Sequence, residues 1–419
     1  MPTDPKAGAL RALAAAILLL ACRPAAAQEG WLRDDFSLIN KGADLELRLA
    51  GYVQGDLRSL RNFTEGDDEE EGLNGTDAEV RRLRIGLEGR WKRFSFESTF
   101  DPADEGEHIK DLFGDIRIAR ELRLRGGHMK VPFSSEFLTS ASRIDFVERS
   151  LVVFNLAPSR DWGVMLHGEL FDRLEYRAGI FEGDGRTARF RADTTFAARA
   201  ELKVLKSLDV GGSFTDGEVT ANPEGEDLDP VPRGLEGEGA SGFHFSETRF
   251  VQGKRRRWGA DARWAMGPVA VRGEWVQVRE ERRGQGATFD DLPAEIADGW
   301  VGSATWLVTG EKKDNSIKPR RPISKGGIGA VELAARYEDM GFDDEGEDAG
   351  FAGAGNRARN IRPTADRAFT GGLSWWPERW VRLMGNVLLE EFEDPLLAPE
   401  PGRQGQYVSI LGRLQLMLP

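Results

Sequence analysis

From Ala43 to the end of the chain the dominant hydrophobic period is two, and that alternation is what most limits the fold. Leu45, Leu47, Leu49, Gly51 and Val53 share one face, with Glu46, Arg48, Tyr52 and Gln54 on the other. Leu83, Ile85 and Leu87 stand against Arg82, Arg84 and Glu88, and Phe94, Phe96 and Phe100 against Ser95, Glu97 and Thr99. The pattern persists through Trp258, Ala260, Ala262 and Trp264 against Arg257, Asp261 and Arg263. It ends with Val408, Ile410, Leu414 and Leu416 against Arg413 and Gln415. Successive side chains of a strand point to opposite faces, so these are strands with one apolar and one polar side.

The connections alternate in length. Short ones fall at Gly89–Arg93, Phe171–Arg173, Met266–Pro268 and Trp376–Arg379; long polar ones fall near 59–78, 131–160, 182–193, 215–247, 279–297, 339–366 and 390–406. Short turns at one end and long loops at the other mark a transmembrane antiparallel β-barrel, here of about sixteen strands. The connection Lys312–Lys325 is longer than that scheme allows. Trp31, Trp91, Trp300, Trp306, Trp375, Trp376, Trp380 and Tyr407 sit near strand ends, where Trp and Tyr favour the lipid headgroup level. The competing reading of these aromatics is the core of a secreted β-sandwich. Against it, the polar faces carry Arg opposed by Glu or Asp, groups that pair across a narrow aqueous lumen.

Lys6 and Arg11, the apolar run Ala12 to Ala21, and Ala25-Ala26-Ala27 form a cleavable export signal over residues 1–27. A short segment, 28–42, precedes the barrel at 43–419. The apolar run falls well below the roughly twenty residues a spanning helix needs. Cys22, the single cysteine, lies inside the signal, and Leu19-Leu20-Ala21-Cys22 faintly resembles a lipoprotein site; cleavage after Ala27 leaves no cysteine. His108, His128, His167 and His244 are scattered without ligand spacing, so no metal or other cofactor is expected. No nucleophile elbow, zinc helix or phosphate loop appears, so the chain is not read as an enzyme. The expected surroundings are outer-membrane lipid, with no nucleic-acid partner.

Many of the basic residues recur on lumen positions: Arg82, Arg84, Arg117, Arg123, Arg125, Arg177, Arg257 and Arg272. Rings of Arg or Lys replace an anion's lost hydration while letting it move on, and Arg binds oxygen pairs with a fork of donors. The segment 131–160 has no clean period, an uncommon length for a functionless connection, and it carries Arg143, Arg149 and Arg160 just after Lys130. Inside a barrel these would stand at the narrowest point, where low-dielectric walls strengthen the field. The alternative is that Arg149 and Arg160 tie the segment to the wall through carboxylates.

G-x-x-K-V-P-F-S at Gly127 to Ser134, T-S at Thr139–Ser140, E-R-S at Glu148–Ser150 and P-S-R-D-W-G at Pro158 to Gly163 resemble the phosphate-selective porin O/P family. So do G-Y-V-Q-G-D at Gly51 to Asp56, the run Gly326 to Tyr337, G-G-L-S-W-W at Gly371 to Trp376, and L-G-R-L-Q at Leu411 to Gln415. The resemblance implies a sixteen-stranded outer-membrane porin, commonly a homotrimer, whose equivalent loop folds inward to constrict the pore. It also implies passive passage of small anions such as phosphate or polyphosphate past lumen arginines and lysines. The chain departs from the family in ending on Pro419 rather than Phe, and in offering only Lys130 where a lysine cluster would stand. The expected selectivity set is Arg82, Arg84, Arg117, Arg123 and Arg125 on the wall, with Lys130, Arg143, Arg149 and Arg160 on the loop. A general porin with little phosphate preference, or a closed barrel serving as a surface binding protein, are the alternatives.

Overall fold

A computed structural model of the chain describes residues 37–40, 44–62, 75–104, 106–185, 194–220, 232–240, 242–286, 289–314, 316–345, 363–393 and 406–418. The export signal at 1–27, Trp31 and the acidic run 67–71 lie outside the described residues. The strands are β1 (Leu45–Asn62), β2 (Gly75–Trp91), β3 (Phe94–Phe100), β4 (Ile109–Arg117), β5 (Arg123–Lys130), β6 (Arg160–Leu170), β7 (Leu174–Phe181) and β8 (Thr195–Leu205). They continue as β9 (Leu208–Thr220), β10 (Gln252–Met266), β11 (Val269–Arg282), β12 (Leu292–Leu307), β13 (Ala330–Asp344), β14 (Thr364–Glu378), β15 (Val381–Phe392) and β16 (Gln406–Met417). Each pairs antiparallel with the next, and β16 pairs with β1 from Tyr407↔Asn62 to Met417↔Tyr52. The sixteen strands therefore close, and no open edge is left with unpaired N–H and C=O groups facing hydrocarbon. Ser37–Asn40 adds a short strand on the start of β1, over the edge that β16 leaves uncovered.

The expected faces hold. Leu49, Ile85, Leu87, Val164, Ile180, Leu373 and Ile410 point out and are exposed, as a lipid-facing wall requires. Trp91, Trp300, Trp306 and Trp380 are exposed on the same outer surface. Trp376 and Tyr407 depart from the headgroup expectation: both are buried inside the barrel, Trp376 with Leu307 and Ile317, and Tyr407 with Phe392. The short-turn end uses tight reversals in which Lys92, Phe171 and Asp172 take positive φ, the twist that matches strand twist in two-residue hairpins.

The long connection after β12 does not hang below the barrel. It turns back into the mouth, burying Ile317 against Leu307, Ala330 and Trp376, and forms a turn of 3₁₀ helix at Ile323–Lys325. This resolves the length anomaly: the segment is a floor, not a turn.

Two segments fill the interior. The first is the connection between β5 and β6, which folds inward and carries two short helices, α1 (Ser135–Leu138) and α2 (Leu151–Leu156). Ser134 and Ser150 cap them by accepting from the N–H of Phe137 and Val153. The second, unforeseen from sequence, is part of the connection between β9 and β10. Residues 232–240 and 242–249 enter the barrel from the long-loop end and form a small antiparallel pair, Gly237–Glu238 with His244–Ser246. Leu151, Val152, Val153 and Leu156 of α2 and Leu235 and Phe245 of the second segment pack on inward-facing Val276, Val278, Met340, Phe342 and Leu388. An apolar core thus occupies the lumen against β11–β15, where the sequence pattern led us to expect only polar wall.

Candidate functional site

The inserted loop is held by its main chain. Gln54 donates to the carbonyl of Ala141, Gln415 to Ser142, Arg382 to Ile144, Arg336 to Glu148, Arg199 to Phe133 and Arg257 to Leu156, all at 2.7–3.1 Å. In the opposite sense Glu274, Asn386 and Glu338 accept from the N–H of Glu136, Val147 and Leu151. The second segment is tied in the same way: Glu280 accepts from Leu235 N–H at 2.8 Å and Glu390 from Ala240 N–H at 2.5 Å. Irregular backbone inside a barrel leaves carbonyls and amides that cost free energy unless partnered, and here the inward-facing side chains of the wall partner them.

Beneath the loop, on the short-turn side, lies a cavity of about 910 Å³. Leu138, Ser140, Ser142, Arg143 and Asp145 of the loop form its roof, Lys313, Asp314, Ser316 and Lys318 belong to its floor, and Arg48, Arg84, Glu97, Asp111, Arg125 and Arg177 line its wall.

The structure brings some of the expected residues to this cavity and gives others a local task. Arg143 faces the cavity, exposed, and its guanidinium has no ion-pair or hydrogen-bond partner among the described residues. Arg84 bonds Asp101 at 3.0 Å. Arg125 bonds Asp115 at 3.0 Å and lies 4.0 Å above the Phe113 ring. Arg160 holds Asp111 with two bonds of 3.1 Å. These three line the cavity as paired charges. Lys130, also on the lining, donates to the carbonyls of Phe137, Leu138 and Thr139. Arg149 donates to the carbonyls of Phe137 and Thr139, closing the loop on itself. Arg123 binds Asp115 at the barrel rim, and Arg117 is exposed at the end of β4. Arg82 bonds Gln54 and Glu148 on the loop.

Lys318 and Arg379 were not anticipated. Both line the cavity, exposed, and neither has an ion-pair partner among the described residues. They sit in connections at the short-turn end; the excess length around Lys312–Lys325 was a signal for Lys318, and Arg379, in the short turn after Glu378, had none. Arg81 was also missed. Strand alternation assigns it to lipid, but β2 carries a bulge: Gln54 pairs with Arg82 while Gly55 pairs with Val80. The skipped residue turns inward beside its neighbour, and Arg81 and Arg82 both reach Glu148, at 3.0 and 3.1 Å.

On the loop itself, burial opposes ionisation of Asp145, yet Arg272, Lys313 and Arg382 outweigh it and hold the carboxyl down at about 2. Glu148 is likewise pushed up by burial but held well below the carboxylate range by Arg82, Arg413, Arg81 and Arg58. Both acids are therefore anions that fix the loop, at neutral pH and well below it. Among the described residues no group of three or more His, Cys, Asp or Glu is placed to hold a metal.

A family model described as phosphate-selective porin O and P matches residues 48–417. No curated protein matches the chain. Among solved structures it is similar to an anion-selective porin from Comamonas acidovorans, with a TM-score of 0.55 and 12% identity over 89% of this chain and 99% of that one. It is also similar to the outer membrane channel DcaP of Acinetobacter baumannii, with a TM-score of 0.56 and 10% identity over 90% and 99%. The trimer form of OmpT, an outer membrane protein of Vibrio cholerae, gives 0.54 and 10% over 88% and 99%.

Proposed function

Because the chain belongs to the phosphate-selective porin O and P family, and so is an outer-membrane porin, we propose that it passes small anions by passive diffusion through the gap left by the inserted loop. The supporting observation is an imbalance of counter-charge at the cavity. Arg84, Arg125 and Arg160 are matched by Asp101, Asp115 and Asp111, whereas Arg143, Lys318 and Arg379 are not matched by any described residue. Three solvated cations around one chamber attract anions and release them, as conduction requires. Phosphate is the natural test anion, since guanidinium forks suit its oxygens. A homotrimer, as in the trimer form of the Vibrio cholerae protein, is the assembly we propose, with the export signal at 1–27 removed.

The same pairing supports a second reading, a general porin with little phosphate preference, because most lumen arginines are neutralised where they stand. Planar-bilayer conductance in a KCl gradient separates the two. A reversal potential of anionic sign with chloride current blocked by added phosphate supports the first. Anionic sign without block leaves the general porin, and cationic sign overturns both anion claims.

A further inference from the structure

The second inserted segment is held at its tip by a carboxylate that has another carboxyl beside it. Glu390 of β15 accepts from the Ala240 N–H, and Asp366 of β14 lies against Glu390, close enough for one carboxyl to donate to the other. They are diagonal neighbours on the inner face: Asp366 opposes Phe392, and Glu390 opposes Ala368. Asp366 is 0% exposed, and neither of its oxygens accepts from an N–H among the described residues. No described Lys, Arg or His forms an ion pair with it. Glu338 of β13 adds a third carboxyl nearby, already engaged by Arg336 at 3.0 Å and by the Leu151 N–H, and Glu136 of α1 lies beyond it. Tyr407 of β16 opposes Glu390 and is buried. In the second segment, His244 is half exposed beside Glu236 at 3.6 Å, and Glu238 bonds Asn155 through its main chain. On the outer face at this level Arg367 pairs with Asp339 and Glu393, which places the level beyond the lipid-facing band. Two carboxyls in contact and out of water cannot both ionise, so the pair keeps one proton between them.

We propose that Asp366 and Glu390 form a proton latch on the second inserted segment: sharing one proton they hold its tip in the lumen, and losing it they let the tip lift and widen the long-loop end of the pore. The tip is Gly239, Ala240, Gly242 and Phe243, in which the Gly239 N–H bonds the Phe243 carbonyl at 2.9 Å and the Gly242 N–H bonds the Gly239 carbonyl at 3.0 Å. It sits close on the latch, since a Cβ at Gly239 would stand 2.5 Å from Glu390 Oε1. Two ionised carboxyls that move apart therefore push Glu390 into this backbone. The stem is held elsewhere. The Arg249 carbonyl accepts from the Arg233 and Gly234 N–H at 3.0 and 2.9 Å, Glu280 keeps the Leu235 N–H, and Phe245 packs on Phe342. Only the tip has to move. Once it lifts, both carboxyls are solvated and ionise in their ordinary range near about 4, whereas the docked pair retains its proton. Rising pH thus favours lifting, by about tenfold per pH unit until the docked pair also ionises.

The latch holds whichever anion the pore prefers, and its test needs no current. Amide hydrogen exchange of the folded full-length chain in detergent is followed by mass spectrometry between pH 5 and 9 on peptides from the second segment. Comparing wild type with Asp366→Asn at each pH cancels the intrinsic pH dependence of exchange. The amide introduced by Asp366→Asn donates to Glu390 at every pH, so the tip is expected to stay protected. Wild-type protection is expected to fall relative to it, on the order of tenfold per pH unit over part of the range. Glu390→Gln still offers an oxygen to the Ala240 N–H and donates to Asp366. It is expected to match Asp366→Asn, and it decides the matter alone if Asp366→Asn does not fold. A wild-type profile parallel to the variant's, or one that never falls, overturns the latch. An equal loss of protection in peptides covering α2 marks a general loosening of the interior and overturns it as well.

Discussion

Lys313 donates to Asp145 at 2.7 Å across 168 residues of sequence, joining the floor of the cavity to the inserted loop. Both side chains are buried, and Lys313 also bonds Glu332 on β13. Breaking a buried pair from one side leaves an uncompensated charge, so Lys313→Ala is expected to weaken loop docking by about 3–5 kcal/mol. The readouts are a lower melting temperature in detergent and larger current fluctuations in single channels. Unchanged values in both would remove the floor from the account.

The pH dependence of that anchor follows from the sign of the Asp145 shift. Its carboxyl in the folded protein lies near 2, below its ordinary value of 3.8, so the stabilisation is present in full above the ordinary value and is lost as pH falls through the folded one. Wild type and Asp145→Asn are expected to differ in stability by a constant amount from pH 8 to about 4 and to converge toward pH 2. Convergence at pH 6 would contradict it. Thermal melts of the two proteins over that range are the check.

Substitutions at the unpaired cavity cations are expected to alter selectivity without cost to folding. Arg143→Gln, Lys318→Gln and Arg379→Gln each remove a solvated charge that bonds no described side chain. Each is expected to change stability by less than about 0.5 kcal/mol while moving the reversal potential toward the cationic side, and the triple variant to move it furthest. Arg160→Gln breaks the two bonds to Asp111, so its first effect is expected on melting temperature.

Gly127 opens the stretch that enters the inserted loop. Its φ is +135°, and a Cβ there would stand 2.3 Å from the Leu112 carbonyl oxygen. Gly127→Ala is expected to cost about 1–3 kcal/mol in backbone strain alone, with the close approach adding to it. A chemical-denaturation series against Gly126→Ala, whose Cβ would meet only Val164 at 4.0 Å, isolates the effect.

The second inserted segment closes part of the long-loop end. Asn155 of α2 exchanges bonds of 3.0 and 2.9 Å with the main chain of Glu238, and Phe245 meets Phe342 and Phe392 edge-on and tilted. Replacing 236–247 by a Gly/Ser linker of equal length is expected to enlarge conductance and admit larger sugars in liposome swelling. No swelling by either protein, once folded barrels are verified, would favour a closed binding barrel.

The alternation of Leu45, Ile85, Phe96, Trp258 and Ile410 with their charged neighbours made the barrel and its strand faces legible, because a period of two is a local property. The inward turn of the loop was legible only through its motifs. What each arginine does was not, since the deciding partners lie far away in sequence: Arg413 finds Asp56 at a separation of 357 residues. Two local rules also failed for physical reasons. The bulge at Arg81 reverses its face without leaving a trace in composition, and Val276 and Val278 look like misplaced lumen residues until α2 and Phe245 cover them.

Apart from the Asp145 and Glu148 carboxylates, the wall grips the loop by amides and carbonyls, groups that every residue but proline carries in full. The side chains at Ser140, Ser142 and Arg143 therefore stand over the cavity with little part in keeping the loop in place. A chain built this way can exchange the residues that meet the solute one at a time and still assemble. Its filter is open to evolutionary drift, while the frame that carries it, written in Gln54, Arg336, Glu338, Arg382 and Asn386, is not.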